Sequence, residues 1–140
     1  GETDPGAERV LLFGGRTKSH LYGVERMREL CTEVRIATDD GSEGHRGLVT
    51  DLLGPYLGAE ETRLYACGPT PMFKSIARAL KGHPNPCEIS VEPIMACGFG
   101  ACYGCVVPVR DGDDFTYVKS CQEGPTFEIR DLLVDRMEAH

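Results

Sequence analysis

The 140-residue sequence predicts an α/β fold built on a parallel sheet, followed by a small cysteine-rich module, and three observations predict it. Short apolar runs alternate with helix-period patterns from Arg9 to Val91, the sequence form of repeated βαβ units. Glu92-Pro93 then ends that pattern. Four cysteines and a turn-centred pair of β runs follow within the last third of the chain. The expected organisation is therefore residues 1–92 as the α/β part and 93–140 as the second module. A chain this short holds one domain, or one domain with an appended module, and cannot support two full-sized cores.

The strands of the α/β part are predicted at Val10–Phe13, Val34–Ala37, Leu64–Ala66 and Ile89–Val91. Between the first two, Leu21, Val24, Met27, Leu30 and Cys31 recur at helical spacing, with Thr17 or Ser19 as the cap. Leu48, Val49, Leu52 and Leu53 mark a shorter helix that Gly54-Pro55 disrupts. The third helix has the clearest signals. Thr70 stands as N-cap and Pro71 as first helical residue; Met72, Phe73, Ile76, Ala77 and Leu80 share a face, and Gly82 ends it. In the second module, Val106–Val109 and Phe115–Val118 flank Asp111-Gly112-Asp113 and read as a hairpin. Asp131–Glu138 is expected to form a final short helix.

Charge and composition exclude several classes of function. Lys and Arg number 15 against 22 Asp and Glu, a net charge of −7, so the surface field repels phosphate backbones and anionic membranes. No nucleic acid partner is expected. Pro93–Val109 carries no charge and approaches the ~17-residue minimum for crossing a bilayer, but Pro93, Gly98, Gly100, Gly104 and Pro108 would break such a helix repeatedly. No membrane partner is expected either, and the chain reads as soluble and cytoplasmic. The acidic start Gly1–Pro5 lacks an initiator Met and reads as processed or excised.

Seven cysteines, an odd number, speak against a secreted disulfide framework and for a reducing compartment in which clustered thiols hold metal. Cys97, Cys102, Cys105 and Cys121 are separated by four, two and fifteen residues. The spacing C-x4-C-x2-C with a distant fourth Cys is that of plant-type [2Fe–2S] sites. Gly98, Gly100 and Gly104 let the chain wrap tightly and point N–H groups at the sulfurs. The alternative is a structural zinc site, which usually uses two short C-x2–4-C knuckles, where this segment has one. Rieske ligation needs two histidines, and His20, His45, His83 and His140 all lie outside the segment. Cys31 on a helix face and Cys87 at a strand start read as small core residues.

A parallel sheet binds ligands beyond the carboxyl ends of its strands, and the first three predicted strands here are each followed by a Gly-containing loop. Gly14-Gly15-Arg16-Thr17 offers a guanidinium for phosphate or ribose. Thr38-Asp39-Asp40-Gly41-Ser42 offers partners for sugar hydroxyls, and Cys67-Gly68-Pro69 opens the third helix. Any one of these loops could be only a tight turn; three together favour a nucleotide site. No G-x-G-x-x-G occurs, so the main pyrophosphate loop of a dinucleotide site is not in this sequence.

The segments Ala66-Cys67-Gly68-Pro69-Thr70-Pro71-Met72 and Met95-Ala96-Cys97-Gly98-Phe99-Gly100-Ala101-Cys102-Tyr103-Gly104-Cys105 resemble the iron–sulfur electron-transfer subunit of class B dihydroorotate dehydrogenase. The first segment is shared with the wider ferredoxin reductase-like family. The second is specific to this subunit and to its relatives, the gamma subunits of cytoplasmic sulfhydrogenases. The resemblance runs from about Val10 to Asp135 and extends to Gly44, Gly47 and Thr50. It implies a family in which a β-barrel binds FAD, an α/β domain receives NAD(H) and a C-terminal module carries a [2Fe–2S] cluster. Electrons then pass to the FMN of a separate catalytic subunit of pyrimidine biosynthesis. By that resemblance Cys97 and Cys102 hold one iron, and Cys105 and Cys121 the other. Cys67, Gly68 and Pro69 face the nicotinamide, while Arg16, Thr17 and Asp39 belong to the nucleotide site. The barrel and the first strand with its Gly-rich loop have no counterpart in these residues. FAD is therefore not expected to bind, NAD(H) is expected to bind weakly or not at all, and the flanking strands must either close the gap or borrow a strand from another chain, by homodimer strand exchange or from a partner.

Overall fold

The structure, a computed structural model, describes residues 6–59 and 61–137, and it divides the chain into two compact units, Gly1–Pro55 and Tyr56–His140. The composition changes at residue 92, but the backbone pairing does not stop there. Strand β8 (Thr126–Glu128) from the cysteine-rich part pairs with β5 (Cys87–Ser90), and Val91 N donates to the Pro125 carbonyl at 3.0 Å.

In the first unit β1 (Val10–Gly15) runs parallel to β2 (Glu33–Thr38), in register from Val10↔Glu33 to Gly15↔Thr38. A two-residue strand that the sequence does not announce, β3 (His45–Arg46), adds to the other side of β2. Helix α1 covers Val24–Leu30 and is shorter than its apolar spacing implied. Neither Thr17 nor Ser19 caps it. Gly23 does, at φ +74, a left-handed conformation that glycine adopts without penalty. The Thr17 hydroxyl instead meets Ser19 and His20, inside a 3-10 turn at Lys18–His20. The second predicted helix is replaced by two 3-10 turns, Val49–Leu52 and Gly54–Tyr56, with buried Leu53 between them and exposed Leu48 before the first.

In the second unit β4 (Leu64–Cys67) and β5 run parallel, with β8 antiparallel on the far side of β5. Helix α2 spans Thr70–Ala79 with Pro71 in its first turn, one residue earlier than the capping pattern indicated. It buries Phe73 and Ile76, which belong to the core with Leu80, Cys87, Ile89 and Val91 and, from the C-terminal part, Val107, Ile129, Leu132 and Val134. Asn85, fully buried, accepts a bond from Gly58 N at 2.7 Å and donates to the Ala59 and Thr62 carbonyls, so the loop it serves has its backbone groups paired.

The hairpin forms as expected, from β6 (Val106–Asp111) and β7 (Asp114–Lys119), around Gly112 at φ +59. The final helix does not form within the described residues; Glu138 lies outside them, as do Gly1–Pro5 and His140. Residues from Asp131 onward lend their backbone to the hairpin instead. Arg110 N donates to the Asp131 carbonyl, Leu133 N to the Pro108 carbonyl, and only a 3-10 turn at Val134–Arg136 remains. Among the described residues no helix is long and apolar enough to cross a membrane.

Candidate metal centre

The hairpin register decides where two of the four sulfurs go. Val106 pairs with Lys119, so Cys105 and Ser120 stand at the open end of the hairpin, where Ser120 N donates to the Cys105 carbonyl at 3.0 Å. The chain then turns through α3 (Ser120–Glu123), closed by Gly124 N donating to the Ser120 carbonyl, and this turn presents Cys121 to Cys105. Their thiols hydrogen-bond. The backbone and thiol of Cys121 hold the Cys105 sulfur below the usual thiol range, while the same bond pushes Cys121 up.

The other two sulfurs meet within the glycine-rich loop. Cys102 N donates to Cys97 Sγ at 3.4 Å and Gly104 N to Cys102 Sγ at 3.5 Å. Donation from the Cys102 backbone, then from Phe99, the Cys102 thiol and Ala101, draws Cys97 down to about 6. Negative charge on Cys97 in turn opposes ionisation of Cys121, and the Gly100 backbone favours it, so the two sulfur pairs lie within each other's field. Among the described residues no three His, Cys, Asp or Glu side chains close on one metal ion. The thiols form two pairs.

Gly100, at φ +88, shows why the loop needs glycine: a Cβ there would run into the Gln122 side chain of α3. Lys119 fastens the same residue from the other side, its ammonium donating to the Gly100 carbonyl at 2.7 Å while lying 4.3 Å above the Tyr103 ring. The residues fit an iron–sulfur group on two counts. Backbone N–H groups are aimed at sulfurs, which suits thiolates bearing the negative charge of a cluster. The buried Ser120 hydroxyl, beside Cys105, has no hydrogen-bond partner.

The remaining cysteines separate from this group. Cys87 is fully buried in β5, and that burial, reinforced by Glu128, pushes its thiol up to about 11. Cys31 is half-buried at the end of α1 and is not a core residue. Cys67 is exposed at the end of β4, its thiol 3.6 Å from a Glu92 carboxylate oxygen; partial burial and then the Glu92 charge raise its pKa, the reverse of an activated nucleophile. Gly68 and Pro69, with Thr70, Phe73, Glu92 and Val107, line a cavity of about 330 Å³ in the second unit.

In the first unit Arg16 and Asp39 are exposed and Thr17 half-buried, at the carboxyl ends of β1 and β2 as expected. Asp40, Thr38 and Ser42 organise the adjoining loop. Ser42 donates through its hydroxyl and its N–H to Asp40 Oδ1, holding that carboxyl below the usual range, and Lys18 N donates to Ser42 Oγ at 2.7 Å. Sequence reasoning missed the part played by Thr38 and Ser120. Both are small polar residues whose burial depends on the tertiary fold, and no local pattern marks them.

Residues 92–133 match the family of the iron–sulfur cluster binding domain of dihydroorotate dehydrogenase B. That match takes in all four paired cysteines and Ser120. The electron transfer subunit homolog of dihydroorotate dehydrogenase B (NAD(+)) from Aquifex aeolicus is 36% identical over 94% of this chain and 49% of its own length. The electron transfer subunit from Caldanaerobacter subterraneus is 39% identical over 83% of this chain and 46% of its own, and that from Bacillus caldolyticus 38% over 94% and 49%. This chain resembles the electron transfer subunit of dihydroorotate dehydrogenase B. It spans about half the length of the curated relatives it matches. A solved chain from the structure of an NADH-dependent reduced ferredoxin-NADP oxidoreductase, described in work on flavin-based electron bifurcation, superposes with a TM-score of 0.74 at 29% identity. It covers 93% of this chain and 46% of that one. The ferredoxin reductase-like α/β architecture and the iron–sulfur module expected from the sequence motifs agree with these similarities.

Proposed function

We propose that this chain is the cluster-bearing part of an electron-transfer subunit, relaying electrons between NAD(H)/FAD and a catalytic oxidoreductase subunit of the dihydroorotate dehydrogenase type. The ligands of its [2Fe–2S] cluster are Cys97 and Cys102 on one iron and Cys105 and Cys121 on the other. The observation that carries this reading is the sorting of four thiols into two hydrogen-bonded pairs within one another's field. A single tetrahedral zinc needs four sulfurs around one point, whereas a two-iron rhomb needs two pairs. When bound, the cluster supplies one-electron redox chemistry. The protein's residues hold its sulfurs, shield them with backbone N–H groups and set its potential. No general acid or base is required.

For the nucleotide we assign Cys67, Gly68 and Pro69 to the nicotinamide side and Arg16, Thr17 and Asp39 to the remainder of the cofactor; each group stands at the carboxyl ends of parallel strands within its own unit. FAD is assigned to no residue of this chain. Among the described residues β1 pairs only with β2 and β4 only with β5, which leaves an edge on each sheet for a partner or a second copy to complete. Light scattering tests that assignment. Seven free thiols fit a cytoplasmic setting. The similarity to the ferredoxin-NADP oxidoreductase chain supports a second reading, in which the cluster serves another reductase or a hydrogenase. Co-purification of the partner separates the two.

The ligand assignment is tested by paired substitution. Cys121→Ser is expected to lose the visible absorption and bound iron of the anaerobically purified protein, and Cys31→Ser to keep both. Equal iron content in the two variants would show that the fourth ligand has been misplaced.

A further inference from the structure

The hydroxyl of Ser120 is a feature of the cluster module that the ligand assignment does not use. Ser120 is 2% exposed, and its Oγ has no hydrogen-bond partner within the protein. A buried hydroxyl left unpaired is costly, so such a group calls for an explanation. Its surroundings give one. Ser120 lies between Lys119, whose ammonium is committed to the Gly100 carbonyl, and Cys121, and its own N–H is committed to the Cys105 carbonyl. That backbone bond, at 3.0 Å, fixes Ser120 beside Cys105 and holds its buried hydroxyl within the cysteine site. Two of the assigned ligand residues are its immediate neighbours, Cys121 along the chain and Cys105 through the backbone bond.

We propose that Ser120 is a positioning residue of the cluster, donating its hydroxyl hydrogen to the Cys105 sulfur and thereby setting the reduction potential on that side of the site. The inference rests on the cluster reading of the preceding section. Reduction places added negative charge on the iron-bound sulfurs, and a donor aimed at one of them favours the reduced form over the oxidised form. Cys97 and Cys102 receive their donors from the backbone, which substitution leaves in place. Ser120 is thus a point at which a side chain alone can be varied.

The experiment is a potentiometric titration, followed by visible absorption and electron paramagnetic resonance, of the cluster-loaded parent, Ser120→Ala and Ser120→Thr proteins, with iron and sulfide measured in each. The Ala variant is expected to hold the parental amount of cluster and to titrate at a more negative potential. At a fixed poise its reduced-to-oxidised ratio should fall about ten-fold, ~59 mV for a one-electron couple. Ser120→Thr, which keeps the hydroxyl, should return the potential toward the parent. A fully loaded Ala variant at the parental potential overturns the proposal. So does an Ala variant that loses its cluster while the Thr variant loads, because the role is then structural. A parent protein without iron and sulfide rejects the cluster reading itself, before any Ser120 variant is compared.

Discussion

Two glycine-rich loops of this molecule, residues 38–47 in the first unit and 94–105 in the second, look alike in composition and are held in opposite ways. The first satisfies its own backbone. Fully buried Thr38 donates its hydroxyl to the Glu43 carbonyl at 2.8 Å and accepts from Glu43 N at 3.1 Å, Asp40 gathers Ser42, and Gly44 presses against the Ile36 carbonyl. The second turns its donors toward sulfur. Cys102 N and Gly104 N point at thiols, Lys119 secures the Gly100 carbonyl from outside, and Ile94, Met95, Phe99 and Tyr103 stand exposed around it. The lesson is that glycine content alone does not tell a self-supporting loop from one organised around a ligand. The partners of the backbone N–H groups do.

Glycine substitution breaks the comparison most strongly. Gly44→Ala places a Cβ against the Ile36 carbonyl at φ +66, and backbone in β2 has no room to yield. The expected cost is about 2 kcal/mol or more, read by urea denaturation. Gly98→Ala meets a positive φ, +71, but nothing within 4 Å, and is expected to cost only about 1 kcal/mol. Equal losses in the two variants would erase the distinction between the loops.

A smaller effect sharpens the assignment of Cys67. Its pKa is raised by partial burial and then by Glu92, so Glu92→Gln removes the second cause and lowers the pKa. A larger thiolate fraction follows at any pH below the thiol range. The Cys67 peptide should therefore be alkylated faster in the variant at pH 8, measured by mass spectrometry. An unchanged rate would show that the Glu92 carboxylate does not act on this sulfur.

Legibility in the sequence followed the range of the interactions. Helix α2 was readable because Thr70-Pro71, the Phe73–Ile76–Leu80 spacing and Gly82 are local signals, and the four cysteines because their spacing is itself the signature. The hairpin was readable through Gly112. Strands β3 and β8 were not, since two or three residues carry no periodicity and each exists only through its neighbour. The expected Asp131–Glu138 helix fails for a related reason: the Asp131 carbonyl and Leu133 N are taken by Arg110 and Pro108 of the hairpin, and tertiary pairing outweighs helix propensity. Thr38 and Ser120 stayed invisible because a serine or threonine in a sequence gives no sign of being buried.

The most direct test of the two-pair cysteine site is the stoichiometry of iron, acid-labile sulfide and zinc in the anaerobically purified protein. The two-pair site predicts two irons and two sulfides per chain, with visible absorption that bleaches on reduction. One zinc per chain with no sulfide and no colour would contradict it.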